Sequence, residues 1–190
     1  MTLVINMLGG SGIGKSTIAA GLYYHMKLDH MNVELVREYV KVLAWQGTKI
    51  GRFDQVNIFG EQCKLEHTLY NKVDYIVTDS PIILAPIYEI FYHGDSMMEE
   101  AALKFISKAK ESGVKQLNVV LERNKPYDNR GRFQSEDEAI IVDNLTLNFL
   151  NKYNIAYSVV SGSEQDRVGQ IMELVKNEQK ERSQHGQQVP

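Results

Sequence analysis

The residues best suited to chemistry lie in one run near the start of the chain, Gly9-Gly10-Ser11-Gly12-Ile13-Gly14-Lys15-Ser16-Thr17. The run fits the spacing G-x-x-x-x-G-K-[ST], in which closely spaced glycines let successive backbone N–H groups turn toward an anion. The residues ahead of it, Leu3-Val4-Ile5-Asn6-Met7-Leu8, read as a short buried strand, and those after it, through about Leu28, read as a helix. A helix start adds partial positive charge to the same spot. The chemistry this predicts is nucleoside triphosphate binding. Residues Gly10 to Thr17 form the phosphate cradle, Lys15 reaches the β- and γ-phosphates, and the Ser16 hydroxyl ligates Mg²⁺.

Three further groups of residues bear on what is done with the phosphate. The segment Val73-Asp74-Tyr75-Ile76-Val77-Thr78-Asp79 is an apolar strand ending in a carboxylate. Asp79 is placed to hold Mg²⁺ beside the phosphates, the competing role being a helix cap at Asp79 or Ser80. Another strand ends in Val36-Arg37-Glu38-Tyr39, where Glu38 can take a proton from an attacking hydroxyl and Arg37 can hold a phosphate or a base. A solvated ion pair is the plainer account of the same two residues. After a fourth strand, Arg123, Lys125, Arg130 and Arg132 crowd into one loop with Pro126 and Gly131. Cations that close over a transferring phosphoryl group stabilise its charge and exclude water. Arg123 is assigned to the nucleotide, and Arg130 and Arg132 to the transition state.

Around the acceptor the residues leave alternatives open. Lys41, Lys49 and Arg52 flank Trp45 and Phe53, a mixture that suits a base and a phosphodiester strand. A buried Trp beside a polar loop explains it as well. Gln55 and Gln62, on the next helix, could read a pyrimidine edge. Gly162, after the fifth strand, is where an adenine could pack on backbone. The five His residues show no ligand spacing.

The elements that must position these residues are legible as alternation. Strand-like runs at 3–8, Val33–Val36, Tyr75–Thr78, Leu117–Leu121 and Ala156–Val160 are separated by stretches with helical spacing, such as Val56, Phe59, Cys63 and Leu69. Such alternation predicts a parallel sheet with helices on both faces, whose ligands sit at the strands' C-terminal ends. Helix starts are expected at Ser80-Pro81, at the capping box Ser135-Glu136-Asp137-Glu138, and at Ser163 with Asp166. The 190 residues suggest one domain over 1–177, with a basic lid at about 123–134 and a polar, flexible tail over 178–190.

Composition excludes some function classes. A single cysteine, Cys63, cannot form an internal disulfide and argues against zinc. The net charge of −3 gives no global drive toward nucleic acid, although a local basic groove stays open. No apolar run approaches membrane-spanning length, so the expectation is a soluble protein of a reducing cytoplasm, with no membrane partner.

The run Gly9–Thr17, then Arg37-Glu38, then Asp79-Ser80-Pro81, then an arginine lid resembles the thymidylate kinase group of P-loop kinases and related nicotinamide riboside kinase-like phage proteins. Segments 37–47 and 125–139 look like small phage kinases, some of which are 5-hydroxymethyluracil DNA kinases. The resemblance covers about residues 3–175. It implies a three-layer α/β P-loop kinase fold with a five-stranded parallel sheet in the order 2-3-1-4-5, ATP and Mg²⁺ as cofactors, and Lys15, Ser16, Glu38 and Asp79 at matching positions. With the lid cations Arg130 and Arg132 the catalytic set is Lys15, Glu38, Asp79, Arg130 and Arg132, either Glu38 or Asp79 taking the acceptor proton. Arg37, Glu38, Trp45, Arg52 and Gln62 would face the acceptor. That acceptor is first the 5-hydroxymethyl group of 5-hydroxymethyluracil in DNA, and next a free deoxynucleoside monophosphate or a nicotinamide-type nucleoside. A homodimer in a phage host's bacterial cytoplasm is compatible with the resemblance. Ser80 stands where thymidylate kinases carry an Arg for the substrate phosphates, which argues against ordinary dTMP. Rival classes are a GTPase, from Asn124-Lys125-Pro126-Tyr127-Asp128 with its Asp one residue late, and a regulatory ATPase.

Overall fold

A computed structural model describes residues 1–48, 51–124, 127 and 134–186. The centre is β1 (Leu3–Leu8), whose six residues are all buried because helices cover both faces of the sheet. Around it stand β2 (Val33–Val36), β3 (Tyr75–Thr78), β4 (Lys115–Leu121) and β5 (Ser158–Val160), all parallel, in the order β2-β3-β1-β4-β5. This is the expected order. The two last strands differ from expectation only at their starts: β4 begins two residues earlier than expected and β5 two residues later.

Side chains alternate across β1, as the pleat requires. Leu3, Ile5 and Met7 pack toward α1 (Lys15–Leu28) and α7 (Glu164–Gly186), meeting Ile18, Leu22, Met26, Val168, Ile171 and Val175. Leu8 faces the other side, against α4 (Leu84–His93) and α6 (Glu136–Lys152) through Ile83, Ile87, Val142 and Phe149. Val4 meets Ala109 of α5 (Glu99–Glu111). Asn6 interrupts that apolar face. Its amide donates to Gln116 Oε1 (2.8 Å) and to Asn118 Oδ1 (2.9 Å), and Asn118 in turn donates to the Ala156 carbonyl (3.0 Å). A buried amide row is tolerated only when its members find partners, so this row fixes the register of β1 against β4.

On the β2 side lie the short α2 (Val40–Trp45) and α3 (Asp54–His67). Of the expected helix starts, Ser135 forms the capping box with Glu138, and Ser163 and Asp166 bond each other's backbone N–H reciprocally. The Ser80-Pro81 start is corrected: a turn intervenes, with the Leu84 N–H on the Pro81 carbonyl (2.8 Å), and α4 begins at Leu84. The Ser80 N–H bonds Thr78 Oγ1 instead of opening a helix (3.2 Å). α7 continues through Gly186, well into the stretch read as a tail. Glu178 pairs with Lys115 (3.5 Å) and the Gln179 amide donates to the Tyr75 hydroxyl (2.6 Å), so this part of the helix is docked on the N-terminal ends of β3 and β4.

α3 carries a buried acid. Glu66 is 1% exposed beside Cys63, Ile82 and Ala102. One oxygen accepts from the Tyr70 hydroxyl (3.1 Å), and Oε1 has no partner among the described residues. Burial pushes this carboxyl up to about 8. Packing of Cys63 against Ile82 ties α3 to the turn that follows Asp79.

Two predictions follow from these elements. Ser135→Ala removes a helix cap and is expected to cost about 1 kcal/mol in denaturant unfolding. Glu66 holds its proton more tightly folded than unfolded, where its value is near 4.5. Its contribution is therefore complete below that value and is lost as pH rises toward about 8. Unfolding of the wild type against Glu66→Gln at pH 5 to 8 should show the wild type losing about 1.4 kcal/mol per pH unit relative to the variant.

Candidate active site

The phosphate-binding run forms the turn from β1 into α1. Gly14 caps α1 with φ of 102°, a left-handed conformation that lets the chain enter the helix with successive amides turned the same way. Gly10 meets a different demand. A Cβ there would lie 2.3 Å from the Ala139 carbonyl oxygen, because α6 packs directly on the loop. The Lys15 ammonium donates to the Gly9 and Gly10 carbonyls (2.6 and 2.9 Å), folding back over the loop, while Ser16 and Thr17 stay exposed at its rim.

Neighbouring strands bring the acids to the same edge of the sheet. β2 and β3 are in register, so Glu38 and Asp79 emerge together, and the Glu38 N–H donates to Asp79 Oδ1 (3.0 Å). Asp79 is 6% exposed. Burial raises the Glu38 carboxyl above its ordinary value; Lys15 opposes that rise and Asp79 adds to it. Burial lowers the Lys15 ammonium, opposed by Glu38, Asp79 and Asp143. Lys15, Glu38, Asp79, Asp143 and Arg123 therefore share one electrostatic site. Tyr88 of α4 borders it, its phenol pushed up by burial and by Glu38.

Arg123 leaves the end of β4 and turns inward. Its Nε donates to Asp143 Oδ2 (2.7 Å) and its Nη2 to the Ser11 carbonyl (2.9 Å). Asp143 Oδ1 accepts the Gly10 N–H (2.5 Å), so one carboxylate joins the lid root to the phosphate loop. Arg167, 1% exposed, donates to the carbonyls of Ile13 (3.1 Å), Glu122 (2.8 Å) and Gly162 (3.0 Å) and to the Asn124 side chain. It fastens the loop to the segments after β4 and β5.

The residues expected around the acceptor separate. Gln62 is buried, its Oε1 accepting the Tyr39 N–H (3.2 Å), next to Glu38, while its Nε2 has no partner among the described residues. Arg37 is exposed. Arg52 is paired with Asp95 rather than turned to the centre. Trp45 and Phe53 are each 81% exposed, so burial of the Trp does not account for it. Arg130 and Arg132, with Lys49 and Lys125, lie outside the described residues.

Sequence reasoning missed Asp143, Arg167 and Tyr88. Arg167 did leave a signal: it precedes Ile171 and Val175, both fully buried, at four-residue spacing. Asp143 shares the loop-facing side of α6 with Ala139, four residues earlier. Among the described residues no cluster of three or more His, Cys, Asp or Glu could hold a metal by itself. The Ser16 hydroxyl and the Asp79 carboxylate are hard oxygen donors, a set that fits Mg²⁺ arriving with phosphate oxygens.

No curated protein matches the sequence. Its fold is shared with solved structures of deoxyadenosine kinase from M. mycoides. One, with dATP bound, is 16% identical with a TM-score of 0.59, covering 91% of this chain and 99% of that one. Another, with dCMP and dCDP as products, is 15% identical with a TM-score of 0.56, covering 94% and 99%. A family model described as an AAA domain matches residues 4–167. With its glycine-rich phosphate loop on the central strand of a parallel sheet in the order 2-3-1-4-5, this chain belongs to the AAA domain family and has the P-loop fold of deoxynucleoside kinases.

Proposed function

We propose that this protein is an ATP-dependent kinase that transfers the γ-phosphoryl group to a hydroxyl of a nucleoside or nucleotide. The observation that carries the reading is the meeting of Lys15 with the Glu38–Asp79 pair at the mouth of the phosphate loop. A phosphate cradle alone suits any triphosphate enzyme. A partly desolvated carboxyl beside it suits an acceptor that must lose a proton.

In this mechanism the amides of Gly12 to Thr17 and the Lys15 ammonium hold the β- and γ-phosphates. Ser16 and Asp79 would hold Mg²⁺, which would supply neutralisation of the phosphate charge. The acceptor oxygen forms a bond to the γ-phosphorus in line with the departing ADP oxygen, and its proton passes to the Glu38 carboxylate. Asp79 positions that base, since one of its oxygens is engaged by the Glu38 N–H. Arg130 and Arg132 would close over the transferring group.

The acceptor we favour is the 5-hydroxymethyl group of 5-hydroxymethyluracil within DNA. Its supports are the resemblance of 37–47 and 125–139 to such kinases and the two exposed aromatics, Trp45 and Phe53, on the β2 side. A free deoxynucleoside or its monophosphate is the second reading, favoured by the deoxyadenosine kinase fold. Incubation with Mg²⁺ and γ-labelled ATP in the presence of 5-hydroxymethyluracil DNA, unmodified DNA, dTMP, deoxynucleosides or nicotinamide riboside decides the matter. Label on the modified DNA alone is expected; label on a free nucleoside or nucleotide selects the second reading. Lys15→Ala should abolish transfer with the fold retained by circular dichroism. Glu38→Gln should lower kcat by about 10²–10⁴-fold, the usual range for losing a general base, with the KM for ATP nearly unchanged. A rise in the acceptor KM with kcat unchanged would instead place Glu38 in binding.

A further inference from the structure

We propose that Arg123 and Arg167 are positioning residues that hold the phosphate loop open for its anion by engaging its carbonyls from outside. The inference rests on reading this loop as the phosphate site. In a trans peptide the C=O and the N–H point in opposite directions. Arg123 Nη2 holds the Ser11 carbonyl, so the N–H of the same peptide, that of Gly12, faces away from Arg123. Arg167 Nη1 holds the Ile13 carbonyl, which turns the Gly14 N–H away from Arg167 in the same manner. Gly12 and Gly14 both have left-handed φ (79° and 102°), and left-handed residues at alternate positions turn successive amides into an anion-binding concavity. The two arginines thus grip alternate carbonyls of one loop and leave the intervening N–H groups directed to the opposite side.

Neither arginine is free to serve another purpose. Arg123 is also clamped by Asp143, which itself accepts the Gly10 N–H, and its side chain is 13% exposed. Arg167 is 1% exposed and lies against Gly14, its Nη1 3.9 Å from where a Cβ would stand. Its hydrogen-bond acceptors are three carbonyls and one side-chain amide. Buried cations are normally paired with a carboxylate. The Glu122 carboxylate acts on Arg167 through space but accepts none of its hydrogen bonds, and a polyphosphate on the far side of the loop would supply a second complementary anion. The arginines therefore act on the nucleotide in two ways: they fix the direction of the amides before it arrives, and they add positive potential behind them.

The test is calorimetric titration of wild type, Arg123→Gln and Arg167→Lys with pyrophosphate, ADP and adenosine. Both variants should weaken pyrophosphate and ADP by about tenfold, as expected for the loss of charge-assisted hydrogen bonds, and leave adenosine unchanged. An arginine that only braces the fold would lower the melting temperature while the folded protein bound pyrophosphate as tightly as wild type; that result overturns the inference. Should Arg167→Lys fail to fold, Arg123→Gln alone carries the same two outcomes. A wild type that binds neither pyrophosphate nor ADP would contradict the phosphate-site reading itself, which separates the two failures.

Discussion

A loop that offers its N–H groups to an anion must place its carbonyls elsewhere, and in this protein side chains from three parts of the chain receive them. Lys15 takes the carbonyls of Gly9 and Gly10, Arg123 that of Ser11, and Arg167 that of Ile13. Much of the architecture answers to that need. α6 closes on Gly10 so tightly that only glycine fits, and α7 delivers Arg167 from the far end of the sequence. The parallel sheet is what allows residues 13, 122 and 162 to meet on one guanidinium, since β1, β4 and β5 are neighbours and end at the same edge.

The second half of the site is built on charge balance. Three cations, Lys15, Arg123 and Arg167, approach the loop, and three acids, Glu38, Asp79 and Asp143, lie near Lys15. Asp143 is neutralised by Arg123, and Asp79 is engaged by a backbone N–H. Glu38 is left as the acid whose carboxyl is raised by burial. A carboxyl in that condition is a better proton acceptor than a fully hydrated one, and it lies within electrostatic reach of Lys15 on the phosphate loop.

The fold was largely legible because its signals are local. Five apolar runs and the helix-spaced stretches between them gave the sheet, and Ser135 with Glu138 announced α6. Ser80-Pro81 misled because a serine before a proline suits a turn as well as a helix start, and the Leu84 N–H to Pro81 carbonyl bond made it a turn. Within the candidate site, Lys15 was legible from the glycine motif, and Glu38 and Asp79 from lying two residues and one residue past the ends of β2 and β3. Asp143 and Arg167 were not, because their role comes from contacts with Gly10 and Ile13, more than 130 residues away in sequence. Arg123 was singled out as a lid cation; its bonds to Ser11 and Asp143 could not be read from spacing.

The measurement that tests the central claim most directly is the fate of the γ-phosphoryl group in a single turnover. Enzyme in excess over γ-labelled ATP, with Mg²⁺ and each candidate acceptor, is quenched and the products are separated. Label recovered as a phosphate ester on an acceptor, with ADP in equal amount and negligible inorganic phosphate, is the predicted result. Label released as inorganic phosphate at the same rate with and without every acceptor would contradict the kinase account and make the protein an ATPase.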